Sequence, residues 1–366
     1  MPSLNLHRRW WRKMLNRPLR ICAWGNDSGS KFWRLVDPFK YLRKRGIKAY
    51  VSENGINEEE VNWADICVVQ SCTDKDGIAL LYQYQQEKGK KIVVECDDGL
   101  ELNEDSPFAI DHKIYDANFV ITRTMQMADM ITTTIEYLAN KLRKYNPNVV
   151  VLPNYIDLDR WDLPFLPNDT GKIRIGWAGS ITHVEDVKII VNVMRHLYRE
   201  FKNIQLVIVG DPRVGALFEG IPTETMNGVP FEAWPSKLYS LRLDIGLAPV
   251  RNTPFNRCKS NIKWIEYSVA QIPGVYSPIV YSMDNEHFDG VYGQIAENEE
   301  QWYRCIKNYI VCKNLRDDIA KRAKSCITTA YTLKSNIKSW VKAYNKLIQS
   351  PKSSIDKQST KLVAST

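Results

Sequence analysis

The eight cysteines contain no C-x-x-C pair, and none of the five histidines stands at ligand spacing from another. Those absences argue against a zinc knuckle, a thiol redox motif or a histidine-built transition-metal site. Scattered cysteines (Cys22, Cys67, Cys72, Cys96, Cys258, Cys305, Cys312, Cys326) fit a reducing compartment, so a cytoplasmic location is expected. No apolar run approaches the ~18 residues needed to span a membrane. The opening stretch MPSLNLHRRWWRKMLNRPLR has no apolar h-region and is not read as a secretory signal. It also has no acidic residue among Arg8, Arg9, Arg12, Lys13, Arg17 and Arg20.

What is present is an ordinary globular composition, 44% hydrophobic and 25% charged, over 366 residues. That length exceeds what one core usually organises, so two domains are expected. The net charge of +8 is concentrated at the ends: residues 301–366 carry fourteen Lys/Arg against three Asp. Two readings of the basic ends stay open, a solvated terminus or a surface for an anionic partner such as lipid headgroups or nucleic acid.

Short apolar β-type runs alternate with longer helical patterns, as in parallel sheets with crossover helices. In the first half, RICAWG, KAYVS, ADICVVQS and KIVVECDD are expected strands; ANFVITRTMQMADMITTT and IEYLANKLRKYNP continue the alternation, and VVVLPNYID closes the half. KFWRLVDPFKYLRKRG is helical, beginning or kinking at Pro38. The region around 153–170, rich in Pro, Asn and Asp, is expected to link the domains. KIRIGWAGS, IQLVIVG, IGLAPV and GVYSP restart the alternation, and from about 301 the pattern is mostly helical. The expectation is an α/β chain of two Rossmann-like domains facing a central cleft. Their limits are 1–155 and 156–345, the second with its C-terminal helices, followed by a disordered tail over 346–366. Such sheets bind ligands at the carboxyl ends of their strands.

The stretch FNRCKSNIKWIEYSVAQIPGVYS follows IGLAPV directly. On a helix, Lys259, Lys263 and Glu266 share one face, with Ile262, Ile265 and Val269 on another. Spacing alone allows a solvated face with an i,i+3 ion pair. A helix N-terminus carrying Lys259 at a sheet's ligand edge also suits a diphosphate, with Glu266 accepting from ribose hydroxyls.

In order, VVVLPNYID, GWAGSITHVED, VIVG, LRLDIGLAPV and PFNRCKSNIKWIEYSVAQIPGVYS resemble the retaining GT-B glycosyltransferases close to the family-four, glycogen-synthase-like group. The likeness is strongest over about 150–290. It implies a nucleotide-diphosphate sugar donor, UDP-linked by expectation, and no resident cofactor or metal. Gly179 would allow close backbone approach to a donor oxygen, and the Ser180 hydroxyl would donate to it. An ordinary strand-to-helix turn is the alternative. His183 and Asp186 open the next helix, His183 as a donor contact, with a cap or surface role as the alternative for each, while Gly210 and Asp211 fall where the family places the base. Glu266 matches the second glutamate of the family's E-x7-E motif. The first position is Cys258 here, with Asn256 offered as a partial substitute. Ser180 stands where relatives often have arginine, so Lys259 and Lys263 are offered in its place at the diphosphate with Arg251 assisting, and Lys259 and Arg251 are placed in the catalytic set. In the N-terminal domain, Asp27 in GNDSGS and Asp97 are acceptor-side residues, and Asp98 joins the catalytic set. A turn-capping aspartate pair is the alternative there.

The implied reaction is metal-independent sugar transfer with retention. A nucleotide-sugar epimerase of the same fold and a non-catalytic binder of nucleic acid or membrane are the competing classes. Neither first-strand turn reads G-x-G-x-x-G, which counts against a nicotinamide dehydrogenase. For the acceptor, a cell-wall polymer, a lipid-linked sugar at a membrane surface and modified DNA all remain open.

Overall fold

The structure, a computed structural model, describes residues 17–25, 29–70, 74–110, 117–281 and 288–350. Asp27, the first sixteen residues and the tail from 351 lie outside the described residues. The chain divides into two units. One comprises Met1–Asp97, Tyr115–Pro153 and Asn336–Thr366, and the other Asp98–Ile114 and Asn154–Ser335.

Six parallel strands build the first unit: β1 (Arg20–Trp24), β2 (Lys48–Val51), β3 (Ile66–Gln70), β4 (Lys91–Glu95), β5 (Met130–Thr133) and β6 (Val149–Val151). Their order is β2-β1-β3-β4-β5-β6. Every residue of β3 and β4 is buried, as expected of parallel strands covered on both faces. The chain reverses its direction of travel across the sheet between β1 and β3, whose carboxyl ends carry Gly25 and Gln70. The helix expected after β1 begins as a π-helical stretch, Phe32–Val36, and becomes α1 (Asp37–Arg43) with Pro38 in its first turn. Proline cannot donate there, which accounts for the change of winding at that point.

The second unit has six parallel strands in the order β12-β11-β10-β7-β8-β9. They are β7 (Ile173–Gly179), β8 (Ile204–Gly210), β9 (Thr223–Met226), β10 (Ile245–Ala248), β11 (Gly274–Tyr276) and β12 (Gln294–Ile295). This is the Rossmann order, and its reversal point lies between β7 and β10. Helix α2 (Val184–Glu200) buries Val187, Ile190, Met194 and Leu197 on one stripe against this sheet. Helix α3 (Ile262–Val269) follows β10, and α4 (Glu299–Val311) packs with α2 and buries Trp302, Ile306 and Tyr309 in the same core.

Several expectations change. The division does not fall at a single cut near 155: the stretch from Asp98 belongs with the second unit and that from Asn336 with the first. The last helix, α5 (Lys338–Gln349), runs past the expected start of the tail at 346, because Leu347 and Ile348 are buried. Lys259 is not on the helix with Lys263 and Glu266. Residues Asn256–Cys258 form a separate 3-10 turn, Lys259 is extended (φ −73°, ψ 150°), and α3 starts only at Ile262.

Candidate active site

The loops leaving β7 and β10 flank the reversal point of the second sheet, and a buried carboxylate ties them together. Asp186, in the first turn of α2, accepts from His183 Nδ1 at 2.8 Å and from the Arg251 backbone N–H at 2.9 Å. It also accepts from Asn256 Nδ2 at 3.0 Å. Arg251 Nε stands 3.4 Å away. Burial works to raise its pKa, but the bonds from His183 and Arg251 outweigh this and hold it below the ordinary value. His183 shifts downward, chiefly through burial and also through the positive charge of Lys259, with Asp186 opposing. Its imidazole is therefore neutral near pH 7, with Nδ1–H on Asp186 as the tautomer that satisfies the carboxylate.

Arg251 divides its donors. The backbone and Nε meet Asp186, while Nη1 and Nη2 form a fork on Asp105 Oδ2 and Oδ1 at 2.7 and 3.0 Å. Lys259 Nζ lies 3.9 Å from Asp98 Oδ1 and 4.8 Å from the Phe255 ring centroid. Both cations assigned to the diphosphate thus sit on the carboxyl side of β10, each with an acidic neighbour from the segment Asp98–Ile110. Asn256 is buried and also donates to the Arg251 carbonyl at 3.0 Å, so it stiffens the turn.

Glu266 is buried and accepts from Lys263 Nζ at 2.8 Å, the i,i+3 pair that spacing allowed. Lys263 also lies over the Trp234 ring, 5.2 Å from its centroid. Cys258, at the position of the family's first glutamate, is buried and its thiol donates to the Pro254 carbonyl. A Cβ on Gly99 would come within 3.3 Å of its Sγ, so the site is packed tightly around a small side chain.

Other assigned residues are placed differently. Ser180 is exposed and shares a hydrogen bond with Thr182. Gly179 and Gly210 are register partners at the ends of β7 and β8. Asp211 caps the following helical turn through the Arg213 N–H and also pairs with the Arg213 guanidinium. In the first unit, Gln70 Nε2 donates to Ser30 Oγ at 3.0 Å and faces Asp97 Oδ1 at 3.5 Å. Asp97 and Asp98, neighbours in the chain, fall on either side of the boundary between the two units.

Sequence reasoning missed Asp105 and Gln70 and read Asp186 only as a helix-opening residue with a cap or surface role. A first-turn acid on an amphipathic helix gives no local sign that it will be buried. Among the described residues no cluster of three or more His, Cys, Asp or Glu is arranged to hold a metal ion. Nor is any helix long and apolar enough to cross a membrane.

No family model matches this sequence, and no curated protein matches it. Solved structures do match in fold. A glycosyltransferase from Rickettsia africae is 13% identical, with a TM-score of 0.64 over 92% of this chain and 100% of that one. The fold is the GT-B glycosyltransferase fold. Anabaena HepE, solved with UDP and glucose, is 11% identical with a TM-score of 0.64, over 90% of this chain and 100% of its own. The catalytic domain of Arabidopsis thaliana starch synthase IV, bound to ADP and acarbose, is 10% identical with a TM-score of 0.62. That match covers 91% of this chain and all of the domain. These neighbours are of the glycogen-synthase-like kind, at low sequence identity.

Proposed function

We propose that this protein is a retaining glycosyltransferase that moves a sugar from a nucleotide-diphosphate donor, UDP-linked, to an acceptor hydroxyl without a metal ion. The observation that carries the reading is the pairing of Arg251 and Lys259 beside the reversal point of a Rossmann-ordered sheet, in a fold shared with structures holding UDP or ADP. Breaking the glycosyl–phosphate bond leaves negative charge on the diphosphate. Two cations fixed in place stabilise that growing charge, a task that a metal ion performs elsewhere.

In this reading the second unit holds the donor. Arg251 and Lys259 meet the diphosphate, Gly179 and Ser180 lie beside it, and Glu266 with Lys263 faces the ribose. Neutral His183 has Nε2 free of the Asp186 bond and suited to accept from a sugar hydroxyl. The first unit supplies the acceptor side around Asp97. The anionic acceptors left open by the basic ends remain candidates for the screen below.

The test is a panel of nucleotide sugars assayed for release of free nucleoside diphosphate, followed by an acceptor screen with the active donor. Product analysis by NMR should show the donor's anomeric configuration, and activity should persist in chelator. An inverted product would remove the retaining assignment. Conversion of the donor to another sugar nucleotide without any acceptor would identify an epimerase instead.

A further inference from the structure

The two cations assigned to the diphosphate already hold carboxylates from one short segment. Asp105 takes both terminal nitrogens of Arg251, at 2.7 and 3.0 Å, and Asp98 stands 3.9 Å from Lys259. This segment follows β4 in the chain but belongs to the second unit. It is seated by packing as well as by charge: a Cβ on Gly99 would lie 3.1 Å from the Phe255 ring and 3.3 Å from Cys258 Sγ.

We propose that Asp105, assisted by Asp98, is a built-in competitor for the donor: its carboxylate occupies the guanidinium fork that a phosphate takes, and donor binding exchanges one anion for the other. The inference rests on the reading of Arg251 and Lys259 as diphosphate ligands. A guanidinium fork fits a carboxylate and a phosphate with the same bidentate geometry. The two kinds of contact on Arg251 differ in burial. The Asp105 side chain is 43% exposed, so solvent screens the pair and exchange is easy. Asp186 is only 3% exposed and grips the Arg251 backbone and Nε, keeping the arginine in place when Asp105 leaves. A diphosphate, able to reach both cations, displaces the pair of carboxylates better than a monophosphate does.

The experiment is calorimetric titration of UDP and UMP into the full chain and into its Asp105→Asn and Asp98→Asn variants, with melting temperatures recorded. Asp105→Asn is expected to bind UDP roughly three- to tenfold tighter than the parent. The gain should be smaller for UMP, and smaller for Asp98→Asn. Wild-type binding with no gain in a folded Asp105→Asn protein overturns the competitor and leaves the proposed function standing. Binding of UDP by neither protein removes both. Should Asp105→Asn not fold, hydrogen exchange on the unmodified chain decides. UDP must accelerate exchange in residues 98–110, and unchanged or increased protection there overturns the inference.

Discussion

A Cβ on Gly210 would lie 2.0 Å from the carbonyl oxygen of Gly179. The two residues close the register between β7 and β8, and Gly210 has φ +139°, a region open essentially to glycine alone. The contact is to backbone, so no side-chain rotation relieves it. Gly210 therefore has a packing role that stands whether or not a nucleotide base lies nearby. Gly210→Ala is expected to lower stability by about 2–4 kcal/mol through clash and backbone strain combined. Urea denaturation measures this, and a loss under about 0.5 kcal/mol would mean that the strand ends part freely.

Asp186 and His183 make a pH-dependent pair with a defined sign. The folded-state pKa of His183 lies below the unfolded value, so the unfolded chain takes up the proton first. Its contribution to stability is full above about pH 6.5 and is lost as pH falls from there through the folded pKa. By NMR, the His183 titration midpoint should fall below 6.5. Asp186→Asn should lower it further, because that carboxylate is the foremost group raising it. An upward move in that variant would contradict the assigned hydrogen bond. The depressed carboxylate of Asp186 acts at lower pH: its contribution is present above about pH 4 and lost as pH falls through its own folded pKa.

Most strands were legible because buried parallel strands are nearly continuous apolar runs, as in ICVVQ, KIVVE and IQLVIVG. β9, with the sequence TETM, and the two-residue β12 offered no such run. The short helix Glu58–Trp63 was passed over because Val61 is its one buried residue. The candidate site was legible in its loops but not in its contacts. Asp186 meets Arg251 and Asn256 from 65 and 70 residues away, and Asp105 meets Arg251 across 146 residues. Such partners depend on sheet order. The break before Ile262 was hidden for a related reason. Thr253 Oγ1 accepts from Asn256 N, and the Cys258 and Lys259 N–H groups are used within the turn, so a sequence with helical spacing folds as a separate turn.

The first unit has its own buried ion pair. Arg34 donates to Glu95 at 2.8 Å and to the Leu152 carbonyl at 2.6 Å, with its guanidinium 5.8 Å from the Trp340 ring centroid on α5. The pair is almost fully buried, so removing one partner leaves an uncompensated charge. Arg34→Met alone is expected to cost about 3–5 kcal/mol, and Arg34→Met with Glu95→Leu together much less. Denaturation of Arg34→Met, Glu95→Leu and the double variant measures the coupling. Equal losses in Arg34→Met and the double variant would mean that packing, not the charge, is what matters here.

On the proposed function, Lys259 and Glu266 should separate kinetically, since in that reading only Lys259 faces charge that grows during the reaction. Lys259→Ala is expected to lower turnover by roughly 10²-fold or more at saturating donor, the scale of removing one aimed electrostatic group. Glu266→Gln, which keeps the shape but loses the charge that holds Lys263, should mainly weaken UDP binding, by about tenfold, with a smaller change in turnover. Steady-state kinetics give the first result and calorimetry the second. Near-normal turnover in Lys259→Ala would move the leaving-group role to Arg251 alone. Unchanged UDP affinity in Glu266→Gln would make the Lys263–Glu266 pair a helix-stabilising contact, as its i,i+3 spacing by itself allows.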